Sequence, residues 1–217
     1  MLHCLKRLSL TPVIALAVMA FGAGTAVALT ITGTDGHDRI IGSRQADTID
    51  ALGGPDTVIA FAGADIIDLG DGSDRAWAGR GDDTVTGGPG DDRVEAGPGD
   101  DNVDAGPGFD RVRGRPGNDT INGGDGFDRL FGGRGADTVN GDTGNDRLFA
   151  RARDGAADTV NGDAGDDRIF VRDGTSDVVT CGPGIDRVRA DLQDDVATDC
   201  ERVKRHAPGP ANGPVSE

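Results

Sequence analysis

The sequence predicts an all-β fold, a parallel β-solenoid of nine-residue repeats with two repeats to each coil. Every ninth residue from Asp38 through Asp146 is Asp, thirteen in one register. A Gly stands two places ahead of twelve of them, Gln45 being the exception, and an apolar residue stands two places after every one. The residue that follows each Asp has twice this period. Arg39, Arg75, Arg93, Arg111, Arg129 and Arg147 are separated by multiples of eighteen, with Thr48, Ile66, Thr84, Asn102, Thr120 and Thr138 between them. A short fixed period is the mark of stacked repeats. The doubled period assigns alternate strands to two different sheets.

Residues 1–28 read as a leader outside the fold. Lys6 and Arg7 precede an apolar run at 8–21, and Ala26-Val27-Ala28 is a small-x-small signature, so a secretory signal peptide cleaved after Ala28 is expected. The run is short and carries Pro12, which argues against a membrane span, and no later stretch has the length a bilayer needs. The regular solenoid is expected over 29–149. Counted from Gly33, a six-residue turn, Gly33-Thr34-Asp35-Gly36-His37-Asp38, leads into a three-residue strand, Arg39-Ile40-Ile41. Position one is Gly or Ala in twelve of thirteen copies, Leu69 being the exception. Position four is the Gly that permits a left-handed or strained backbone. Position eight is the single apolar residue that strand alternation turns inward. At about 4.8 Å per layer the unbroken copies make about six and a half coils, a rod on the order of 30 Å long.

Beyond Asp146 the period slips. Asp158 comes twelve residues later, so three are inserted, and Asp167, Asp177 and Asp186 follow at steps of nine, ten and nine. Residues 150–204 are expected to be irregular repeats closing into a cap, because the last layer of a stack has to be shielded. Removal of the leader takes Cys4 and leaves Cys181 and Cys200. An even pair in an exported chain reads as a disulfide stapling that cap, a constraint worth about 3 kcal/mol for such a loop. Residues 205–217 hold three Pro and no apolar period, and are expected to form a loose tail.

Composition narrows the chemistry. With 37 Gly, no Tyr and one Trp, the chain cannot build a thick core. Only Glu95, Glu201 and Glu217 among the 38 acidic residues are Glu, leaving 35 Asp. Asp dominates where a short carboxylate must sit inside a tight turn. The net charge of −16 becomes −18 without Lys6 and Arg7, which disfavours nucleic acid and anionic membranes as partners. Ca2+ takes six to eight oxygens in irregular geometry and suits the carboxylates and carbonyls of Gly-rich turns. Mg2+ keeps its waters, and Zn2+ would need His or Cys, whereas His37 and His206 are far apart in the mature chain.

Gly87-Gly88-Pro89-Gly90-Asp91-Asp92-Arg93-Val94-Glu95 and Gly123-Gly124-Asp125-Gly126-Phe127-Asp128-Arg129-Leu130-Phe131 resemble the haemolysin-type, or RTX, calcium-binding nonapeptide. The resemblance covers nearly the whole mature chain. It implies a parallel β-roll holding several Ca2+ ions between stacked turns, each taken by position-six carboxylates and turn carbonyls. Transferred to this chain, the ligands are Asp74, Asp83, Asp92, Asp101, Asp110, Asp119, Asp128, Asp137, Asp146 and Asp167. Asp74 would share an ion with Asp92, and Asp83 with Asp101. Asp38, Asp47, Asp56 and Asp65 are expected to be weaker ligands, since Gln45 replaces a Gly and the turns at 51–56 and 60–65 lack the leading Gly pair. The end of the chain, through Cys181-Gly182-Pro183-Gly184 to Cys200-Glu201, looks like the closing segment of secreted bacterial proteins with this repeat. Many such proteins use a C-terminal export signal and attach the roll to a toxin, protease or lipase domain. This chain departs on both counts, with an N-terminal leader and four residues between the cleavage site and Gly33, too few for a catalytic domain.

No nucleophile–base constellation and no phosphate-binding loop is visible, so an enzyme is not expected. The expectation is a secreted, extracellular, non-catalytic calcium-binding protein with a structural or adhesive role, or an accessory to a secreted enzyme. Two surface rows carry alternatives. Arg129-Leu130-Phe131, Arg147-Leu148-Phe149 and Arg168-Ile169-Phe170 could form an Arg/Phe ladder that grips a glycan or protein, or simply lie under the cap and neutralise nearby turns. Thr120-Ile121-Asn122, Thr138-Val139-Asn140 and Thr159-Val160-Asn161 read as an ice-binding lattice or as an ordinary soluble β face, interrupted elsewhere by Asp50, Asp68 and Asp104.

Overall fold

Two parallel ten-stranded sheets face one another, and the chain alternates between them strand by strand. The computed structural model describes residues 27–151 and 154–207; the expected leader up to residue 26 and the tail from residue 208 lie outside the described residues. Sheet one begins with Thr30–Thr34 and Thr48–Leu52 and ends with Val178–Thr180 and Asp195–Val196. Sheet two begins with Arg39–Ile41 and Thr57–Ala62 and ends with Arg187–Asp191 and Arg202–His206. Arg205 and His206 thus belong to a strand, although the sequence placed them in the tail. No helix occurs among the described residues. The result is a β-solenoid of about ten coils, two nonapeptides to the coil. At about 4.8 Å per layer it is on the order of 40 Å long, longer than the unbroken repeats alone suggested, because both sheets continue past residue 149.

Register follows the repeat. Residues pair with those eighteen ahead, as in Thr120 with Thr138 and Arg111 with Arg129. Across the insertion the step becomes 21, Thr138 with Thr159 and Arg147 with Arg168, and both ladders stay aligned. Later steps shorten to 17 and 15 as Val178 pairs with Asp195 and Arg187 with Arg202.

The core is one file of side chains from each sheet. Position eight is buried throughout, from Ile40 to Val188, as alternation requires. Position one is buried as well, by Ala51, Leu69, Ala105, Ala150, Val171 and Cys181 among others. Its confinement explains why small residues dominate there. The Cys181–Cys200 disulfide closes across a sequence separation of 19 with the Cα atoms 5.2 Å apart, tying that inner file to the last coil.

The turns bring backbone against backbone. At Gly90, φ is +147°, and an added Cβ would overlap the Gly72 carbonyl oxygen of the coil before. Only Gly combines that φ with that approach. From Leu52 to Asp142 position two is also left-handed, even where the residue is Leu52, Phe61 or Arg115 (φ 72°, 81° and 90°). Gly36 sits in the first coil, with Thr34 Oγ1 at 3.6 Å as the nearest obstacle to a Cβ. We therefore expect Gly90→Ala to lower stability by about 1–3 kcal/mol or more, and Gly36→Ala by less than about 1 kcal/mol. Urea unfolding in calcium-containing buffer measures both. Equal losses would contradict the packing argument.

Candidate metal centre

Position six of every repeat aims its carboxylate into the wall between turn and core, where the side chain is at most 2 % exposed from Asp38 to Asp186. From Asp56 onward each such Asp makes the same bond. Its Oδ1 accepts the backbone N–H of the position-six Asp one coil earlier: Asp38 to Asp56 at 2.7 Å, Asp74 to Asp92 at 2.8 Å, Asp83 to Asp101 at 2.9 Å. Two carboxylate rails result, one along each edge of the solenoid. The first runs through Asp38, Asp56, Asp74, Asp92, Asp110, Asp128, Asp146 and Asp167 to Asp186. The second runs through Asp47, Asp65, Asp83, Asp101, Asp119, Asp137 and Asp158 to Asp177. Neither breaks at the insertion, where Asp137 N–H still reaches Asp158 Oδ1 at 2.9 Å.

The second oxygen decides the chemistry. In all eleven repeats from Asp56 to Asp146, Oδ2 is buried and has no hydrogen-bond partner, and the same holds at Asp167, Asp177 and Asp186. It faces another acceptor. An added Cβ at Gly123 would stand 2.8 Å from both Asp128 Oδ2 and the Gly141 carbonyl oxygen. At Gly162 it would stand 2.7 Å from both Asp167 Oδ2 and the Cys181 carbonyl oxygen. Carboxylate and carbonyl oxygens from successive coils thus flank one small space with no donor between them. A buried acceptor without a donor costs about 1–3 kcal/mol, more if charged. A domain with a net stability of about 5–15 kcal/mol cannot carry eleven of them. These oxygens call for cations or protons, and the all-oxygen donor set fits Ca2+.

Residues 30–58, 42–76, 77–112, 113–148 and 154–178 match the RTX calcium-binding nonapeptide repeat. The chain belongs to that family. No curated protein gives a significant match. The RTX roll of this chain therefore joins a calcium-binding repeat to a site whose orphaned oxygens have the chemistry that ion requires.

The first coils differ from the rest. Asp47 is saturated by protein donors, taking Leu29 N and Ser43 Oγ on Oδ1 and Ser43 N on Oδ2. Asp38 Oδ2 takes Thr34 N and Oγ1, leaving only Oδ1 without a partner. Asp56 and Asp65, grouped by sequence with these two, instead have the same orphaned Oδ2 as the later repeats. The backbone N–H at position two makes the difference: Thr34 N and Ser43 N each donate to Oδ2 at 2.6 Å, and neither residue has the left-handed φ of Leu52 and Phe61 at the same position of the next two repeats.

The structure adds residues that sequence reasoning left off the ligand set. Asp158, Asp177 and Asp186 lie on the rails despite the shifted spacing. Asp173 is off register, within a seven-residue turn, and one oxygen from each of Asp158, Asp173 and Asp177 lies within 4.8 Å of the others. Thr175 Oγ1 bridges Asp173 Oδ1 at 2.6 Å and Asp177 Oδ1 at 3.0 Å, while both Oδ2 atoms lack partners. The ten-residue step from Asp167 to Asp177 was the only signal for this denser cluster.

Burial pushes the rail carboxyls up, to about 8 at Asp101, Asp110 and Asp137 and about 7 at Asp74, Asp146, Asp158 and Asp167. The N–H bond opposes the shift, and like charges on neighbouring coils add to it. Asp83, Asp92, Asp119, Asp128 and Asp177 rise to about 6 for the same first cause. A carboxyl raised above its unfolded value holds its proton more tightly when folded. Its contribution to the metal-free fold is therefore complete below about pH 4 and is lost as pH climbs through about 6 to 8. Metal-free protein should show its strongest β circular dichroism in mild acid and lose it across that window. A signal that is flat with pH, or largest at the alkaline end, would refute the assignment of these shifts.

Proposed function

We propose that this RTX protein is a secreted, non-catalytic element whose roll assembles as its turns take up Ca2+ outside the cell, where it serves a structural or adhesive role. The observation that carries the reading is the row of orphaned Oδ2 atoms along both edges, continuous from Asp56 to Asp146. Bound Ca2+ supplies positive charge to these oxygens and links successive turns. The rest is the work of the chain. Position-six carboxylates of neighbouring coils repel one another, by about 1 kcal/mol per pair even in water at 4 Å. Without a neutralising partner that repulsion opposes stacking, so free energy of ion binding becomes free energy of folding.

Secretion is supported by the basic-apolar-small leader of the sequence and by the disulfide, a bond that persists in oxidising compartments. Extracellular sites built this way need about 10⁻⁴ to 10⁻³ M Ca2+, so the chain would stay unfolded where calcium is scarce. The protein from residue 29 onward, dialysed free of metal at neutral pH, should give a coil-like far-UV spectrum. Millimolar Ca2+ should restore the β signal cooperatively, and calorimetry should count several ions per chain. A spectrum indifferent to chelation, with no heat on calcium addition, would end this reading.

A further inference from the structure

Sheet two turns a basic face outward on an acidic protein. Its ten strands each present two outward side chains, at positions seven and nine; eleven of these are Arg, one is Lys204, and Glu95 is the single acid among them. The same positions of sheet one carry Asp50, Asp68, Asp104 and Asp195 and no Lys or Arg. At position seven the arginines form one file. Arg75 pairs in register with Arg93, Arg93 with Arg111, and the file continues strand by strand to Arg187 and Arg202. Consecutive members are about 4.8 Å apart along the solenoid axis.

None of the arginines in this file makes a salt bridge among the described residues. Among the described residues, Glu95 pairs with Arg113 and Arg115 at 3.0 Å, and Asp191 approaches Arg172 at 3.8 Å; none of these arginines is in the file. Like charges opposite one another on neighbouring strands are destabilising. Burial, followed by repulsion from Arg113, Arg129 and Arg93, lowers the pKa of Arg111, with Glu95 opposing the shift. The adjacent aromatic file stiffens the arrangement. Phe131, Phe149 and Phe170 stack at 4.6 and 4.7 Å, with Arg111 and Arg129 over the first ring at 5.5 and 5.8 Å and Arg189 over the last at 5.4 Å. Towards the C-terminal end, Arg147, Arg168, Arg187 and Arg202 line a cavity of about 420 Å³ together with Asn145, Ile185 and three acids, Asp146, Asp166 and Asp167.

We propose that this face binds a linear acidic polysaccharide, with roughly one carboxylate or sulfate per sugar ring, laid along the axis with its anions against the arginine file. Each guanidinium offers two parallel N–H bonds to such a group, and a straight, evenly spaced file matches a stiff polymer of evenly spaced acids. Single-stranded nucleic acid needs open aromatic faces for its bases. Here the ring faces are turned against one another. The proposal deepens the adhesive reading and rests on it only for the folded shape of the roll.

Folded protein in calcium buffer, with circular dichroism recorded on the same samples, is titrated with chondroitin sulfate, hyaluronan, dextran sulfate, neutral dextran and oligo(dT). Binding is expected to chondroitin sulfate, weakening steeply with salt, and not to neutral dextran; hyaluronan and dextran sulfate separate carboxylate from sulfate recognition. The triple variant Arg111→Thr, Arg129→Thr and Arg147→Thr should bind at least about tenfold more weakly with an unchanged spectrum. Thr57 already occupies that position in this sheet. If the triple variant loses β signal, Arg147→Thr alone carries the same comparison. No binding by folded wild-type protein, full binding by the variant, or tighter binding of oligo(dT) would each overturn the proposal. Polysaccharide binding by protein that keeps its spectrum after chelation would support the arginine file while removing calcium-dependent folding.

Discussion

The bond from a main-chain N–H to the Oδ1 of the Asp one coil later is the constraint on which the rest of this molecule depends. It repeats along both edges and persists where the sequence slips by three residues, as between Asp137 and Asp158. From Asp56 to Asp186 the short Asp side chain makes this reach across a single layer, and at the last coil Glu201 Oε2 takes the Asp186 N–H in the same way at 2.9 Å. The same bond leaves Oδ2 facing a carbonyl rather than a donor. Stacking geometry and ion demand are therefore one property. From Asp56 to Asp146 the coils so spaced bury acceptors that the chain leaves without a donor.

That constraint also divides the labour among the nine positions. Four and six answer to the turn, one and eight to the narrow core, while seven and nine point outward and are restricted by neither. Those outward positions differ most between the sheets. On sheet one the Asn row bonds to itself, Asn140 Nδ2 donating to Asn122 Oδ1 at 2.7 Å and Asn161 Nδ2 to Asn140 Oδ1 at 2.6 Å, and Thr180 joins at 2.5 Å. Polar groups spent in this way stiffen the face and are less free to organise water or ligand. Sheet two does the opposite with its position-seven arginines, which stand in file and make no salt bridge among the described residues. The contrast gives a thin, symmetric solenoid two chemically distinct sides.

Much of this was legible along the chain because a solenoid is nearly one-dimensional: each repeat meets only its neighbours. The nonapeptide gave the strand positions, the doubled period gave the two sheets, and the Cys pair gave the staple between Cys181 and Cys200. Less visible was the burial of position one, since Gly and Ala there are equally consistent with turn residues. The left-handed backbone at Leu52, Phe61 and Arg115 was hidden too, because no residue type announced it.

What the sequence determined by itself, then, was everything that recurs: the period, the inward face and the acid at the sixth position. The tertiary structure alone decided what depends on one coil lying against the next. It separated saturated Asp47 from orphaned Asp65, both expected from sequence to be weaker ligands, because the Ser43 N–H donates to the first. It also gathered Asp158, Asp173 and Asp177, whose spacing obeys no period. Hydrogen-bond satisfaction is a property of the space between layers, and a pattern read along a single chain does not contain that space.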